Sequence, residues 1–160
     1  MLEGPAVAAA LRELGITHVP WIPDSELGKW EAALSAEPAL RLIRVAREAE
    51  AIGIAAGLLI AGQRPLVIFQ CTGLFDAGDA LRNVVYDLKL PLHLLVGARG
   101  QLAFERGQTG DTCPLFMEAI VQAWRLPYRV LGADEPAEVL VQEFAPAIRS
   151  GQPRLLILPE

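Results

Sequence analysis

The chain is short of sulfur, of concentrated positive charge and of long apolar runs. Only two of its 160 residues are cysteines, Cys71 and Cys113. Two thiols cannot build a disulfide framework, so a reducing compartment, the cytoplasm, is expected. The formal net charge is -5 with no basic cluster, which argues against a nucleic-acid partner. No apolar run reaches the roughly 18–20 residues that span a bilayer, so no membrane partner is expected. The stretch Met1 to Pro5 lacks the basic start of a signal peptide. Both histidines, His18 and His93, fall inside apolar runs and are expected to pack in the core. No G-x-G-x-x-G, G-x-x-x-x-G-K-[ST] or G-x-S-x-G motif occurs, which sets aside a Rossmann dinucleotide site, a P-loop NTPase and an α/β-hydrolase. Internal repeats, low-complexity segments and linkers are absent too, and no metal-ligating set stands out.

What the chain has in quantity is apolar surface: 52% of residues are hydrophobic and only 21% charged. Such a composition is globular, and the length suits one domain with a full core. A mean hydropathy of +0.34 is high for a lone globular chain. The surplus suggests burial in a subunit interface.

Local patterns alternate regularly. Residues 6–14 read as a helix stopped by Gly15, and 17–22 as a strand. Pro23-Asp24-Ser25 is a turn, with Ser25 able to cap a helix through about residue 34. Strand 40–46 leads into helix 48–61, and strand 66–70, apolar on both faces, suits a central parallel position. A loop is expected over 71–76, then a helix over 77–89, a strand over 91–97 and a long polar loop over 98–111. Helix 112–124, capped by Thr112 or Asp111, precedes strand 128–131. Asp134 is expected to cap a helix to Ser150 before the last strand, 154–158. Strands alternating with helices specify a three-layer α/β/α sandwich around a mainly parallel six-stranded sheet, with right-handed crossovers.

Open α/β sheets bind ligands beyond the carboxyl ends of their strands. Here those ends carry Asp24 and Ser25, Glu48, Gln70 with Cys71, Thr72 and Gly73, and Arg99. Glu48 opens a helix of unusually small residues, with Ala49, Ala51, Gly53, Ala55, Ala56 and Gly57. So thin a helix admits a ligand or another backbone closely. A carboxylate leaving the end of a buried strand is poorly solvated, which favours its neutral form and suits it to proton exchange. The helix dipole alone also explains an acidic residue in a first turn, and small residues also suit tight helix-on-sheet packing. Cys71, at a strand end, is a possible nucleophile without a basic neighbour in sequence. Cys113, at a helix start, is expected to pack or face solvent.

The residues resemble the pyrimidine-binding (PYR) domain of thiamine-diphosphate enzymes, within the sulfopyruvate and phosphonopyruvate decarboxylase group. The resemblance covers roughly residues 5–131. It rests on Val19-Pro20-Trp21-Ile22-Pro23-Asp24-Ser25, on Arg47 to Gly57, on Gln70-Cys71-Thr72-Gly73-Leu74, on Leu90-Pro91 to Arg99-Gly100, and on Gln108-Thr109-Gly110. It implies that Glu48, nine residues before Gly57, hydrogen-bonds N1′ of the cofactor's aminopyrimidine and shares its proton. Glu50 is the near competitor, on a different helix face. Asp24 matches an acidic residue placed for proton transfer near the substrate. Gln70, Thr72 and Gly73 would line the pocket, with Ser25 near the substrate. Arg99 could hold a carboxylate, sulfonate or phosphonate, or stand as a solvated loop arginine.

The family's diphosphate-binding G-D-G…N motif is missing; Gly78-Asp79-Ala80 lacks the second glycine. The resemblance therefore implies half a cofactor site. A β (PP-domain) subunit would hold the diphosphate and its Mg2+ in a hetero-oligomer, α2β2 or a multiple. The reaction implied is decarboxylation of a small acidic 2-oxo acid. A carboligase or lyase of the same cofactor, and a non-catalytic assembly subunit, are the alternatives. Cys71-Thr72, Phe75-Asp76 and Ala98 depart from the family's usual residues close to the expected substrate.

Overall fold

In a computed structural model, which describes residues 2–160, helices cover both faces of a single sheet. The strands are β1 (His18–Trp21), β2 (Arg41–Arg44), β3 (Val67–Gln70), β4 (His93–Ala98), β5 (Tyr128–Val130) and β6 (Arg154–Pro159). All pair in parallel, in the order β2-β1-β3-β4-β6-β5. The helices are α1 (Gly4–Glu13), α2 (Glu31–Ala36), α3 (Glu48–Ile60), α4 (Cys71–Asp76), α5 (Gly78–Arg82), α6 (Gln101–Glu105), α7 (Cys113–Ala123) and α8 (Glu138–Ser150). A 3-10 turn, Leu27–Trp30, leads into α2, and a π-helical turn, Asn83–Asp87, continues α5. No helix among the described residues is long and apolar enough to cross a membrane.

Strand alternation builds two cores. Val67 and Phe69 face one side of β3, where Ala51, Ile52 and Ala55 of α3, Leu74 and Val121 cover them. Leu66 and Ile68 face the other side, under Val7 and Leu11 of α1, Trp30, Leu34 and Phe144 of α8. Each such side chain, fully enclosed, contributes about 1.5–3 kcal/mol. Pro5 starts α1 where its missing N–H costs nothing. Gly15 and Gly151, at φ 66° and 63°, end α1 and α8. The indole of Trp30 donates to Leu2 O at 2.8 Å, which ties the start of the chain to the 3-10 turn.

Row by row, β1 joins β2 through four residue pairs, His18↔Arg41 to Trp21↔Arg44. Its join to β3 is sparser: Leu66 N donates to His18 O at 3.0 Å and Ile22 N to Ile68 O at 3.2 Å. Between them stands Pro20, which has no N–H to give.

Several boundaries differ from expectation. Residues 71–76, expected as loop, form α4, and the expected loop 98–111 contains α6. Helix 77–89 is broken into α5 and the π-helical turn. Asp24, not Ser25, caps the turn after β1: its Oδ1 accepts from Glu26 N at 2.8 Å and Leu27 N at 2.7 Å. Asp134 lies before α8 and does not cap it; Glu135 Oε1 instead takes the N–H of Gly132 at 2.7 Å. Of the two candidates before α7, Asp111 does the capping, accepting from Cys113 N at 2.9 Å. His93 is buried edge-on to Phe144, and burial lowers its pKa to about 4.

Cys71 and Cys113, 42 positions apart, are joined as a disulfide. This corrects the expectation of two separate thiols. Cys71 opens α4 and Cys113 opens α7, and these helices pack together beside β4, a contact that spacing in sequence does not reveal.

Candidate active site

The carboxyl ends of β1, β3, β4 and β6 and the start of α3 gather most of the expected residues, and they fall on two sides of the sheet. On the α3 side, Glu48 opens α3 and leans over α4. Gly73 is buried beneath it; a methyl group there would overlap Cγ, Cδ and Oε1 of Glu48. The Glu48 carboxylate is half-buried and has no hydrogen bond or ion pair among the described residues. Glu50 is exposed and its Oε2 accepts from Ala46 N at 3.2 Å, which places it on its own helix terminus. Of the two glutamates, Glu48 is thus the one whose carboxylate has no hydrogen bond or ion pair among the described residues.

On the α8 side, Asp24 is held fully. Besides its two backbone donors, Oδ2 accepts from Gln70 Nε2 at 3.2 Å. Gln70 Oε1 in turn accepts from the Thr72 hydroxyl at 3.1 Å. Asp24, Gln70 and Thr72 thus form one chain of hydrogen bonds, each orienting the next.

Sequence reasoning missed Glu160. It follows β6, and its carboxyl lies in the space above Gly97, where any side chain would overlap Oε1 and Cδ. Gly97 pairs with Gln70 on one side and Leu158 on the other, so Glu160 shares the sheet face of Gln70 and Asp24. Burial, then the charges of Asp24 and Glu26, push its carboxyl up to about 7, with Lys29 opposing. Taking the carboxyl end of every strand, β6 included, would have found it.

Two expected residues stand apart. Arg99 is exposed and bonds Asp111 through Nε at 3.0 Å, so its charge is already matched. The Cys113 N–H and the Arg99 guanidinium hold Asp111 below the usual carboxylate range. Ser25 is exposed, with no hydrogen bond to the others among the described residues. A cavity of about 540 Å3 lined by Leu81, Arg82, Tyr86, Trp124 and Arg125 lies along α5 and α7, away from this edge. No cluster of three or more His, Cys, Asp or Glu able to hold a metal ion occurs among the described residues.

A parallel sheet covered by helices, with carboxylates at its carboxyl edge and one of them over a glycine, defines an α/β domain, and comparison identifies which. The model of the thiamine pyrophosphate enzyme N-terminal TPP binding domain matches residues 3–115, and the chain belongs to that family. Among curated relatives, sulfopyruvate decarboxylase of Methanosarcina acetivorans is 28% identical over 72% of this chain and 30% of its own length. Sulfopyruvate decarboxylase subunit alpha of Methanothermobacter thermautotrophicus is 30% identical over 59% of this chain and 58% of its own. Phosphonopyruvate decarboxylase of Streptomyces viridochromogenes is 29% identical over 63% of this chain and 25% of its own. The matches thus span less than two thirds of each relative's length. In fold, the chain superposes on benzoylformate decarboxylase of Polynucleobacter necessarius with a TM-score of 0.72 at 22% identity, over 99% of this chain and 30% of that one.

Proposed function

We propose that the chain is a single PYR-type domain serving as the α subunit of a two-chain, thiamine-diphosphate-dependent 2-oxo acid decarboxylase of the sulfopyruvate and phosphonopyruvate type. The observation that carries this reading is the unpartnered Glu48 carboxylate above the bare backbone of Gly73. That arrangement fits a heteroaromatic ring: the glycine lets the Glu48 side chain lie against α4, and the carboxylate, without a partner of its own, waits for a ring N–H or nitrogen. When bound, thiamine diphosphate supplies a carbon nucleophile and a sink for the electrons released with CO2. Glu48 holds and returns a proton at the pyrimidine nitrogen N1′. Gln70, Thr72 and Gly73 shape the pocket, and Asp24 is the substrate-side group for proton transfer. Arg99 meets the acidic group of the substrate only by leaving Asp111, and Ser25 is the outermost substrate contact.

A PP-domain β subunit would supply the diphosphate and Mg2+ site, in an α2β2 complex or a multiple. The exposed surface supports a partner: a methyl group added at Gly53 or Gly57 of α3 would meet nothing within 4 Å, and Ile60, Leu115 and Phe116 are 71%, 56% and 55% exposed. A cytoplasmic location belongs to the same reading. It predicts that the Cys71–Cys113 disulfide is reduced in the cell, which alkylation at the moment of lysis reads; a blocked pair would argue for an oxidising compartment.

The test is co-purification of the tagged chain from its native lysate with an assay for thiamine diphosphate. A stoichiometric partner carrying G-D-G…N, together with bound cofactor, is the expected result. A chain that elutes alone and cofactor-free overturns the reading in favour of an assembly module. Product analysis separates an aldehyde from a carboligation product.

A further inference from the structure

Glu160 has no role in the function above, yet it is the one acidic side chain at this edge whose oxygen is shut away. Its Oε1 is buried without a hydrogen-bond partner among the described residues. Gly97 forms one wall, and Leu27 Cδ1, 3.2 Å from where a Cβ on Gly97 would sit, forms another. Its backbone is fixed on both sides: Glu160 N donates to Ala98 O at 3.2 Å and Leu102 N donates to Glu160 O at 3.0 Å. These two bonds fix where the side chain leaves the backbone.

The charges facing it come from the segment after β1. Asp24 and Glu26 are acidic; Lys29 is the single base, and it is engaged by Glu26 at 2.5 Å. From β4 the contact is the uncharged backbone of Gly97. Asp24 accepts three hydrogen bonds. Glu160 accepts none at the buried oxygen and so favours its neutral form. Two carboxyls in such different surroundings divide their roles by environment.

We propose that Glu160 is a specificity-determining residue of this edge, whose enclosed carboxyl, as the neutral acid, admits an anionic 2-oxo acid beside Asp24 and, once ionised, turns it away. The ligand class rests on the function proposed above; the behaviour of the carboxyl does not. Asp24 supplies one fixed negative charge. A second, from the buried carboxyl of Glu160, would add like charge where burial weakens screening.

The experiment is a pH titration of the purified full chain carrying carboxyl-13C glutamate, wild type against Glu160→Gln, with sulfopyruvate as the anionic probe. One glutamate resonance, absent in Glu160→Gln, is expected to titrate near neutrality, as burial and its acidic neighbours require. Asp24→Asn should move that midpoint down by removing the facing charge. Sulfopyruvate binding, followed at the Gln70 side-chain amide, should weaken about tenfold per pH unit above the midpoint, whereas in Glu160→Gln it should stay level. A midpoint in the ordinary glutamate range, the same pH dependence in Glu160→Gln, or no binding at any pH overturns the proposal. Failure of the decarboxylase reading alone would appear as a missing cofactor and partner, with the carbon titration intact.

Discussion

The two sides of the candidate site use the same functional group in opposite ways. On the α3 side a single carboxylate, Glu48, has no partner and lies over a glycine. On the α8 side Asp24 accepts three hydrogen bonds, and a second carboxyl, Glu160, sits walled in behind it. An open acid is free to meet a ligand, whereas a bonded acid is held in one orientation. Environment, not residue type, separates the roles.

The comparison is broken most sharply at Glu48. Glu48→Gln in the complex with its partner should lower turnover by about 10²–10⁴-fold while leaving thermal stability and assembly unchanged; turnover near that of wild type would remove Glu48 from the chemistry. Gly73→Ala attacks the same face from below. The added methyl overlaps the Glu48 side chain, so a stability loss of about 1–3 kcal/mol is expected by denaturant melting, with weakened cofactor binding. A variant as stable as wild type that binds cofactor normally would show that Glu48 can leave its position freely.

On the other side the prediction concerns pH. The folded-state pKa of Glu160 is raised to about 7, above the roughly 4.3 of an unfolded glutamate. Its contribution to stability is therefore fully present below pH about 4.3 and is lost as pH rises to about 7. Glu160→Gln should flatten that part of the stability-pH curve, which urea titrations across the range read. An unchanged slope would mean that Glu160 is solvated in the fold. The smallest effect belongs to Arg99. Its bond to Asp111 is an exposed ion pair, so Arg99→Ala should leave the melting temperature nearly unchanged, since Asp111 keeps its bond to Cys113 N. A large fall would make the pair structural and deny Arg99 to a substrate.

Much of this was legible in the residues. Alternating apolar runs located all six strands, and the rule that α/β sheets bind at carboxyl ends pointed to Asp24, Glu48, Gln70 and Gly73. Cys71-Thr72-Gly73 reads as loop because none is a strong helix former, yet packing of Leu74 into the core overrides that preference. Ser25 and Asp24 are both good caps, and only the geometry of the turn chooses Asp24. The Cys71–Cys113 bond and the burial of Glu160 against Gly97 depend on contacts between distant strand and helix ends, which local patterns do not carry.

Pro20 gives the sheet a line of weakness. With its missing N–H it thins the row between two leaves of the one sheet, β2-β1 and β3-β4-β6-β5, where β1 pairs β3 only at Trp21↔Ile68 against four pairs with β2. Asp24 and Glu48 hang from the smaller leaf, while Gln70, Gly73, Gly97 and Glu160 hang from the larger. Both the Asp24–Gln70 bond and the Glu48–Gly73 contact cross that line. Any parting of the leaves takes the site apart on both faces at once, and any ligand that bridges them fastens the sheet. Amide exchange along the β1–β3 row is thus a direct gauge of whether the site is assembled.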